Sequence, residues 1–180
     1  MTTTYAQHAA GTGEGTARER RAARGVLAAL RIVVGFTFLW AFLDKLFGLG
    51  HATPAERAWV DGGSPTRGFL ANSAEGPFAG LYRDIAGAAW ADWLFMLGLA
   101  GIGIALMAGV AMRITAAAGA LLLVLMWTAV LPPENNPFMD DHLIYAGVLV
   151  LLALTAAGET LGLGKIWSRL PIVQRLPWLK

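Results

Sequence analysis

The sequence predicts an all-α membrane protein: a polytopic four-helix bundle with a long, partly helical extracytoplasmic loop after the first span. Composition is the first observation, because the 180 residues are 56% hydrophobic and only 14% charged. A soluble domain usually carries about a quarter charged residues. The second is a set of four apolar runs, each close to the roughly 20 residues that cross the hydrocarbon of a bilayer. The third is the grouping of lysine and arginine in segments that an even number of spans places on one side.

The chain begins with a polar tail, predicted to be a disordered, basic, cytoplasmic segment over residues 1–24. It is rich in Thr, Gly and Ala and ends in four arginines, Arg18, Arg20, Arg21 and Arg24. The first span follows at about 26–47. A basic segment before an apolar run resembles a signal peptide, but this run is too long and has no small-x-small cleavage site. We therefore expect a span that is retained.

Residues 48–90, called the cap below, connect the first span to the second. Turn signals occur at Gly48-Leu-Gly50, at Gly62-Gly-Ser-Pro-Thr66 and at Gly76-Pro77. Short helices are expected at 54–60 and 77–88, because a connection of this length in a compact domain usually has structure of its own. The glycine-rich segment 62–66 lacks the lysine and the helix start of a phosphate loop. We interpret it as a turn that docks the cap.

Three further spans complete the predicted membrane domain, which covers residues 25–163. They are expected at about 93–112, 114–131 and 138–157. Only Arg113 separates the second span from the third, which predicts a tight antiparallel hairpin. Small residues recur along both of its helices and predict close packing between them, as they do in lipid: Gly101, Ala105 and Gly109 on one, Ala116 and Ala120 on the other.

Orientation follows from the basic residues, which are enriched on the cytoplasmic side of membrane proteins. Four spans place the arginines of the tail, Arg113 and the basic residues of segment 164–180 on one side, whereas segment 132–139 has none. Both termini are therefore predicted to be cytoplasmic, and the cap to face outward, in a bacterial or archaeal plasma membrane. Segment 164–180 alternates basic and apolar residues and is expected to lie at the cytoplasmic interface, near anionic lipid.

Composition also excludes several kinds of site. The chain has no cysteine, which excludes a disulfide relay, a thiolate nucleophile and an iron–sulfur cluster held by this chain. The three histidines, His8, His51 and His142, do not offer two ligands at a matching depth in the membrane, so no haem is expected. No basic stripe suggests that the protein binds nucleic acid.

The candidate site is the segment Asn136-Pro-Phe-Met-Asp-Asp-His-Leu-Ile-Tyr145, at the start of the fourth predicted span. Asn136 and Pro137 fit the N-cap and first positions of a helix, where the dipole stabilises carboxylates in the first turn. Asp140 and Asp141 then have a purely structural explanation. The alternative is proton chemistry, with His142, Asp141 and Asp140 as the catalytic candidates and Tyr145 on the same helix face.

A second charged pair, Asp44-Lys45, ends the first span between apolar residues. Lys45 is expected to pair with Asp140 or Asp141, and Asp44 with Arg67, Arg83 or His142. Such a network either locks the outer end of the bundle or forms a pocket for a quinone headgroup, with Trp40 and Trp127 beside the ring. A divalent cation held by Glu134, Asp140, Asp141 and His142 is a third interpretation, but nothing in the spacing fixes its geometry, so no metal is assigned.

Two charged residues near the other end of the spans have simpler explanations. Arg31 lies in the first span, and we expect its side chain to extend to the cytoplasmic interface rather than to be buried. Glu159 is expected to pair with Arg113 or Arg31.

The chain resembles the DoxX/DoxD-like family of membrane proteins over almost its whole length after the tail. The likeness lies in Gly35-Phe-Thr-Phe-Leu-Trp-Ala-Phe-Leu-Asp-Lys-Leu-Phe-Gly48, Trp59-Val-Asp-Gly-Gly-Ser-Pro-Thr-Arg-Gly-Phe69, Gly76-Pro-Phe78 and the segment from Asn136 to Tyr145. The resemblance implies a four-helix membrane fold. In the branch with a capped first loop it implies the membrane subunit of thiosulfate:quinone oxidoreductase, whose cofactor is a quinone and which needs a second, smaller subunit.

Two classes of function follow. The first is a redox subunit that passes electrons from thiosulfate or a related sulfur compound to quinone at the outer face. The second is a non-catalytic membrane scaffold or assembly factor that anchors soluble redox proteins. Both place the chain in a lipid bilayer, with a small second subunit or a soluble redox protein as its partner.

Overall fold

The computed structural model of the protein describes residues 3–134 and 136–180, with side chains from Gly15 onward. These residues are mostly helical and contain no β-strand. The α-helices are α1 (Thr3–Phe47), α2 (Arg67–Asn72), α3 (Ala79–Asp84), α4 (Ala89–Ala108), α5 (Met112–Ala129), α6 (Asp141–Leu154), α7 (Gly164–Trp167) and α8 (Pro171–Arg175). The all-α prediction is confirmed.

Three helices are long and apolar enough to cross a membrane: α1 from Gly15 onward, α4 and α5. Helix α6 is also apolar but has only 14 residues. At 1.5 Å per residue it is about 21 Å long, less than the roughly 30 Å of a bilayer's hydrocarbon. The structure therefore bears out membrane association through long apolar helices, and it makes the fourth predicted span shorter than residues 138–157.

Helix α1 extends well before its apolar part. Residues 15–24, predicted to belong to a disordered tail, are helical. Ala, Arg and Glu dominate this stretch and are strong helix formers, and a helix that has already begun in the apolar part extends at little cost. The remainder of that prediction, over residues 1–14, falls outside the fully described residues.

The long helices pack in neighbouring pairs, α1 against α4, α4 against α5, and α5 against α6. Glycines allow the closest approaches. A Cβ atom at Gly103 would lie 2.7 Å from the backbone of Leu39, and one at Gly119 would lie 2.5 Å from the Leu149 side chain. Gly101, by contrast, faces open space. Gly101 of the predicted small-residue stripe therefore makes no close helix contact, whereas Gly103, outside that stripe, packs against α1.

The turn between α4 and α5 begins earlier than the sequence predicted. Gly109 adopts the left-handed conformation, with φ 72°, and its N–H bonds the carbonyl of Leu106 while the next N–H, of Val110, bonds that of Ala105. This pair of bonds ends a helix at a glycine. Helix α4 thus ends at Ala108, and Arg113 lies inside α5.

The cap contains the two short helices α2 and α3 and three 3-10 turns, Ala55–Arg57, Trp59–Asp61 and Gly76–Phe78. Polar contacts with α4 and α5 hold it. The Asp92 carboxylate in the first turn of α4 accepts hydrogen bonds from the Ser64 hydroxyl and from both the N–H and hydroxyl of Thr66. The Tyr82 hydroxyl donates to the Leu125 carbonyl near the end of α5, at 2.9 Å. The glycine-rich turn therefore docks the cap on α4.

The C-terminal segment folds back on the turn between α4 and α5. The guanidinium of Arg113 donates to the carbonyl of Pro177 at 3.0 Å, and the indole N–H of Trp167 donates to the carbonyl of Leu179. Ile166, Ile172 and Trp178 remain exposed. Basic and exposed apolar side chains thus share one short segment, as expected of a peptide at a lipid interface.

Arg31 is fully buried, with 0% of its surface exposed. Its guanidinium donates to the carbonyls of Leu106 and Met107 in the last turn of α4 and to that of Leu161, at 2.7 Å, beyond α6. The prediction that Arg31 extends to the interface is wrong. The last carbonyls of a helix carry partial negative charge, which suits a buried cation, although Nε of Arg31 has no hydrogen-bond partner within the described residues.

The ion pair predicted for Glu159 with Arg31 or Arg113 is also absent. Within the described part of the chain, His142 takes part in every ion pair. Both arginines direct their donors to carbonyl oxygens instead.

We predict that Arg31→Lys destabilises the protein by about 3 kcal/mol, because an ammonium reaches only some of the carbonyls that the planar guanidinium bonds together. The free energy of unfolding is measured by denaturant titration in detergent micelles. Arg24→Lys, at an exposed position on the same helix, is the control and is expected to change stability by less than about 0.5 kcal/mol. Equal stabilities of the two variants would contradict the role assigned to Arg31.

Candidate functional site

Asp140 forms the N-cap of α6 and also holds His142. Its Oδ1 accepts hydrogen bonds from the backbone N–H groups of His142, at 3.1 Å, and Leu143, at 3.4 Å. Its Oδ2 lies 2.6 Å from Nδ1 of His142. The predicted N-cap at Asn136 is wrong, since the Asn136 amide oxygen instead accepts from the N–H groups of Phe138 and Met139 and closes a separate turn before the helix.

The imidazole of His142 lies beside two carboxylates. Besides the contact with Asp140, its Nδ1 is 3.6 Å from Oδ1 of Asp141. The side chains of His142 and Asp140 are 18% and 12% exposed, whereas that of Asp141 is 75% exposed. Nδ1 is therefore occupied by Asp140, and Asp141 is the solvent-exposed carboxylate beside the pair. The described residues provide no hydrogen-bond partner for Nε2. This arrangement orients an imidazole for proton exchange at Nε2.

A cavity of about 510 Å³ adjoins His142. Its other walls come from the end of α5 and the segment before α6: Val130, Pro133, Glu134, Asn136 and Met139, together with Asp140 and Asp141. Its volume falls in the range of roughly 300–1,000 Å³ that is usual for small-molecule sites.

The divalent-cation interpretation finds only part of its ligand set. One ligand atom each from Asp140, Asp141 and His142 lie within 4.8 Å of one another, and Glu134 is not part of that group. Both oxygens of Asp140 already accept hydrogen bonds. We therefore assign no metal to these residues.

Tyr145 does not join the cluster. The side chain is 40% exposed and makes no hydrogen bond with any described residue. The helical spacing placed it on the face of His142, but the imidazole turns toward the N-cap and bonds Asp140.

Asp44 and Lys45 do not join the cluster either. Asp44 is 1% exposed, and its two oxygens accept from the backbone N–H groups of His51, at 3.2 Å, and Ala52, at 3.1 Å. Lys45 is half-buried beside it and has no hydrogen bond or ion pair within the described residues. The predicted network with Asp140, Asp141 and His142 is wrong, because the start of the cap turns back over the end of α1 and brings backbone donors to Asp44.

The two tryptophans expected beside a quinone ring each pack on a neighbour of their own. Trp40 meets the ring of His51 edge-on at 5.2 Å, and Trp127 meets Phe138 edge-on at 5.1 Å. The indole N–H of Trp127 also donates to the carbonyl of Phe138 at 2.8 Å. No sequence signal singled out Phe138 as the partner of Trp127.

No protein-family model, no curated protein and no solved structure matches this chain.

We predict that Asp140→Ala lowers stability by about 1 kcal/mol, whereas Asp140→Asn lowers it by only a few tenths, because asparagine caps a helix about as well as aspartate. Thermal unfolding in detergent, monitored by circular dichroism, measures both. Equal losses of stability in the two variants would show that the charge of Asp140, and not its N-cap hydrogen bonds, stabilises the protein.

Proposed function

We propose that α1, α4, α5 and α6 form a four-span bundle with both termini in the cytoplasm and the cap outside. The length and apolar character of α1, α4 and α5 support it, as does the packing of α6 along α5. The positions of the basic residues support the orientation, since four spans place Arg24, Arg113 and Lys165 on one side.

The orientation is testable because the chain has no cysteine of its own. We predict that Ser73→Cys, in the cap, reacts with a membrane-impermeant thiol reagent in intact cells. Ser168→Cys is expected to react only after the membrane is permeabilised, which also serves as its control. The reverse pattern would show that the termini face outward.

We propose further that the bundle is the membrane subunit of a quinone-linked redox system, with the quinone headgroup beside His142. The observation that carries this proposal is the Nδ1 contact of His142 with Asp140 next to a cavity of about 510 Å³. The resemblance to the DoxX/DoxD-like family makes thiosulfate or a related sulfur compound the donor to test first.

Reduction of a quinone to a quinol takes up two electrons and two protons. In this proposal the sulfur compound supplies both electrons, on a second small subunit or a soluble redox protein that docks on this chain. His142 supplies protons to the quinone oxygens through Nε2, and Nε2 takes up a replacement proton from solvent that reaches the cavity. Imidazole suits this role because it exchanges protons near neutral pH. Asp140 keeps the ring in position.

A membrane scaffold that anchors soluble redox proteins without taking part in the reaction is the second candidate. It is favoured because the residues expected to line a quinone pocket already have other partners. Trp40 and Trp127 are each packed on a neighbour, and Asp44 is occupied by the backbone of the cap. A scaffold needs the cap and the C-terminal segment as docking surfaces and places no demand on His142.

We predict that membranes carrying His142→Ala reduce quinone with thiosulfate at least about 100-fold more slowly, the usual loss when an acid–base group is removed. Tyr145→Phe is the matched control and is expected to keep the full rate, because the Tyr145 hydroxyl has no partner among the described residues.

Full activity in a His142→Ala variant that is present at normal amounts would remove the histidine from the mechanism. If deletion of the whole chain leaves the rate unchanged but releases a redox protein from the membrane, the scaffold function is correct.

A further inference from the structure

A second cavity, of similar volume, lies between the cap and the membrane helices. Its volume is about 520 Å³, and its walls are almost entirely apolar. The cap contributes Phe69, Leu81 and Ile85, and α4 and α5 contribute Trp90, Leu94 and Leu125. It shares no residue with the cavity beside His142. A ligand in it is therefore separate from the proposed quinone site.

The cavity opens toward the surroundings of the membrane helices. Leu81 and Leu94, which line it, are 62% and 66% exposed. Helices α4 and α5 are both long and apolar enough to cross a membrane, so the solvent at this surface is lipid. Trp90 stands in the first turn of α4, and tryptophan prefers the headgroup level of a bilayer. The cavity thus extends from headgroup level toward the hydrocarbon, as an acyl chain does.

A cation lies close to the residues that line this cavity, since Arg67 directly follows Thr66 in the chain. Gly87 sits between Ile85 and Trp90, and a Cβ atom there would lie 2.6 Å from Nε of Arg67. The guanidinium of Arg67 therefore rests directly on Gly87, which has a φ of +79° and needs to be glycine both for that conformation and for this contact.

The guanidinium of Arg67 has no hydrogen-bond or ion-pair partner among the described residues, although its backbone N–H bonds Ser64. An arginine held at headgroup level with free donors suits a phosphate, which accepts two of its N–H groups at once. Basic residues near a bilayer surface also favour anionic over neutral lipids.

We propose that this cavity binds an anionic glycerophospholipid, with one acyl chain between the cap and α4 and α5 and the phosphate on Arg67. The apolar walls recognise the chain, and the unpaired guanidinium recognises the charge. A neutral isoprenoid quinone fills the same walls but leaves Arg67 unpaired. The lipid joins the cap to the membrane helices from outside, whichever of the two proposed functions is correct.

The test uses the full chain in lipid nanodiscs with phosphatidylglycerol that carries a photoreactive diazirine in the middle of one acyl chain. After irradiation, mass spectrometry locates the labelled residues. Labels are expected on Phe69, Ile85 and Leu94. Leu81→Trp fills the cavity and is expected to remove most of this labelling, whereas Leu97→Trp, at an equally exposed position on α4 outside the cavity, is not. Leu94→Trp is a second filling variant, and each variant is used only if its thermal unfolding matches the wild type.

The headgroup is tested with the same probe built on phosphatidylcholine. Labelling by phosphatidylglycerol is expected to exceed it about fivefold, the effect of one basic residue on an anionic lipid. Arg67→Gln should remove this preference, and Arg57→Gln, an exposed arginine of the same cap, should keep it. Equal labelling by both lipids, labelling that survives both filling variants, or loss of the label on adding an equimolar isoprenoid quinone would each overturn the proposal.

Discussion

The buried guanidinium of Arg31 is the contact that holds three separate parts of the chain together. It joins the middle of α1 to the last turn of α4 and to the segment after α6. Burial of a charge in an apolar region is costly unless the charge is well bonded, and here the partners are carbonyls in the last turn of α4 and in the segment after α6. The chain makes room for it with glycine, since a Cβ atom at Gly109 would lie 2.6 Å from Nη1 of Arg31. That contact explains why residue 109 is glycine, whereas the sequence pattern indicates only helix packing there.

At the other end of these helices, carboxylates play the corresponding part. Asp44, Asp92 and Asp140 are each largely buried, and each accepts at least one backbone N–H from a neighbouring loop or helix start. The backbone donors to Asp44 and Asp140 are close to them along the chain and are held nearby by connectivity, whereas an ion pair between distant helices must also order two long side chains. This difference explains why charges expected to meet across the bundle instead fix the loops beside them. Among the described residues, Lys45 makes no ion pair with a distant helix.

The sequence predicted the features that depend on composition and on short spacings. Apolar runs predicted α1, α4 and α5, and the clustering of Asp140, Asp141 and His142 at one helix start predicted that the histidine meets a carboxylate there. Helix ends were placed less well, because they depend on the conformation of single residues such as Gly109. Contacts between positions far apart in the chain could not be predicted from the sequence. Arg67 on Gly87 and Tyr82 on Leu125 join residues 20 or more positions apart, and no periodicity connects them.

Asp140 raises the question of whether the candidate site is more than a helix cap. An N-cap needs one side-chain oxygen, and serine, threonine or asparagine would serve as well as aspartate. Here Oδ1 accepts the backbone N–H groups of α6, while Oδ2 is left to contact Nδ1 of His142 at 2.6 Å. The second contact adds little to the helix start, since the first turn is already capped. It does fix the orientation of an imidazole whose Nε2 is unpartnered among the described residues and which lines a cavity large enough for a ring. The second carboxylate oxygen of Asp140, which the N-cap does not need, is therefore the feature that favours proton chemistry over a structural role.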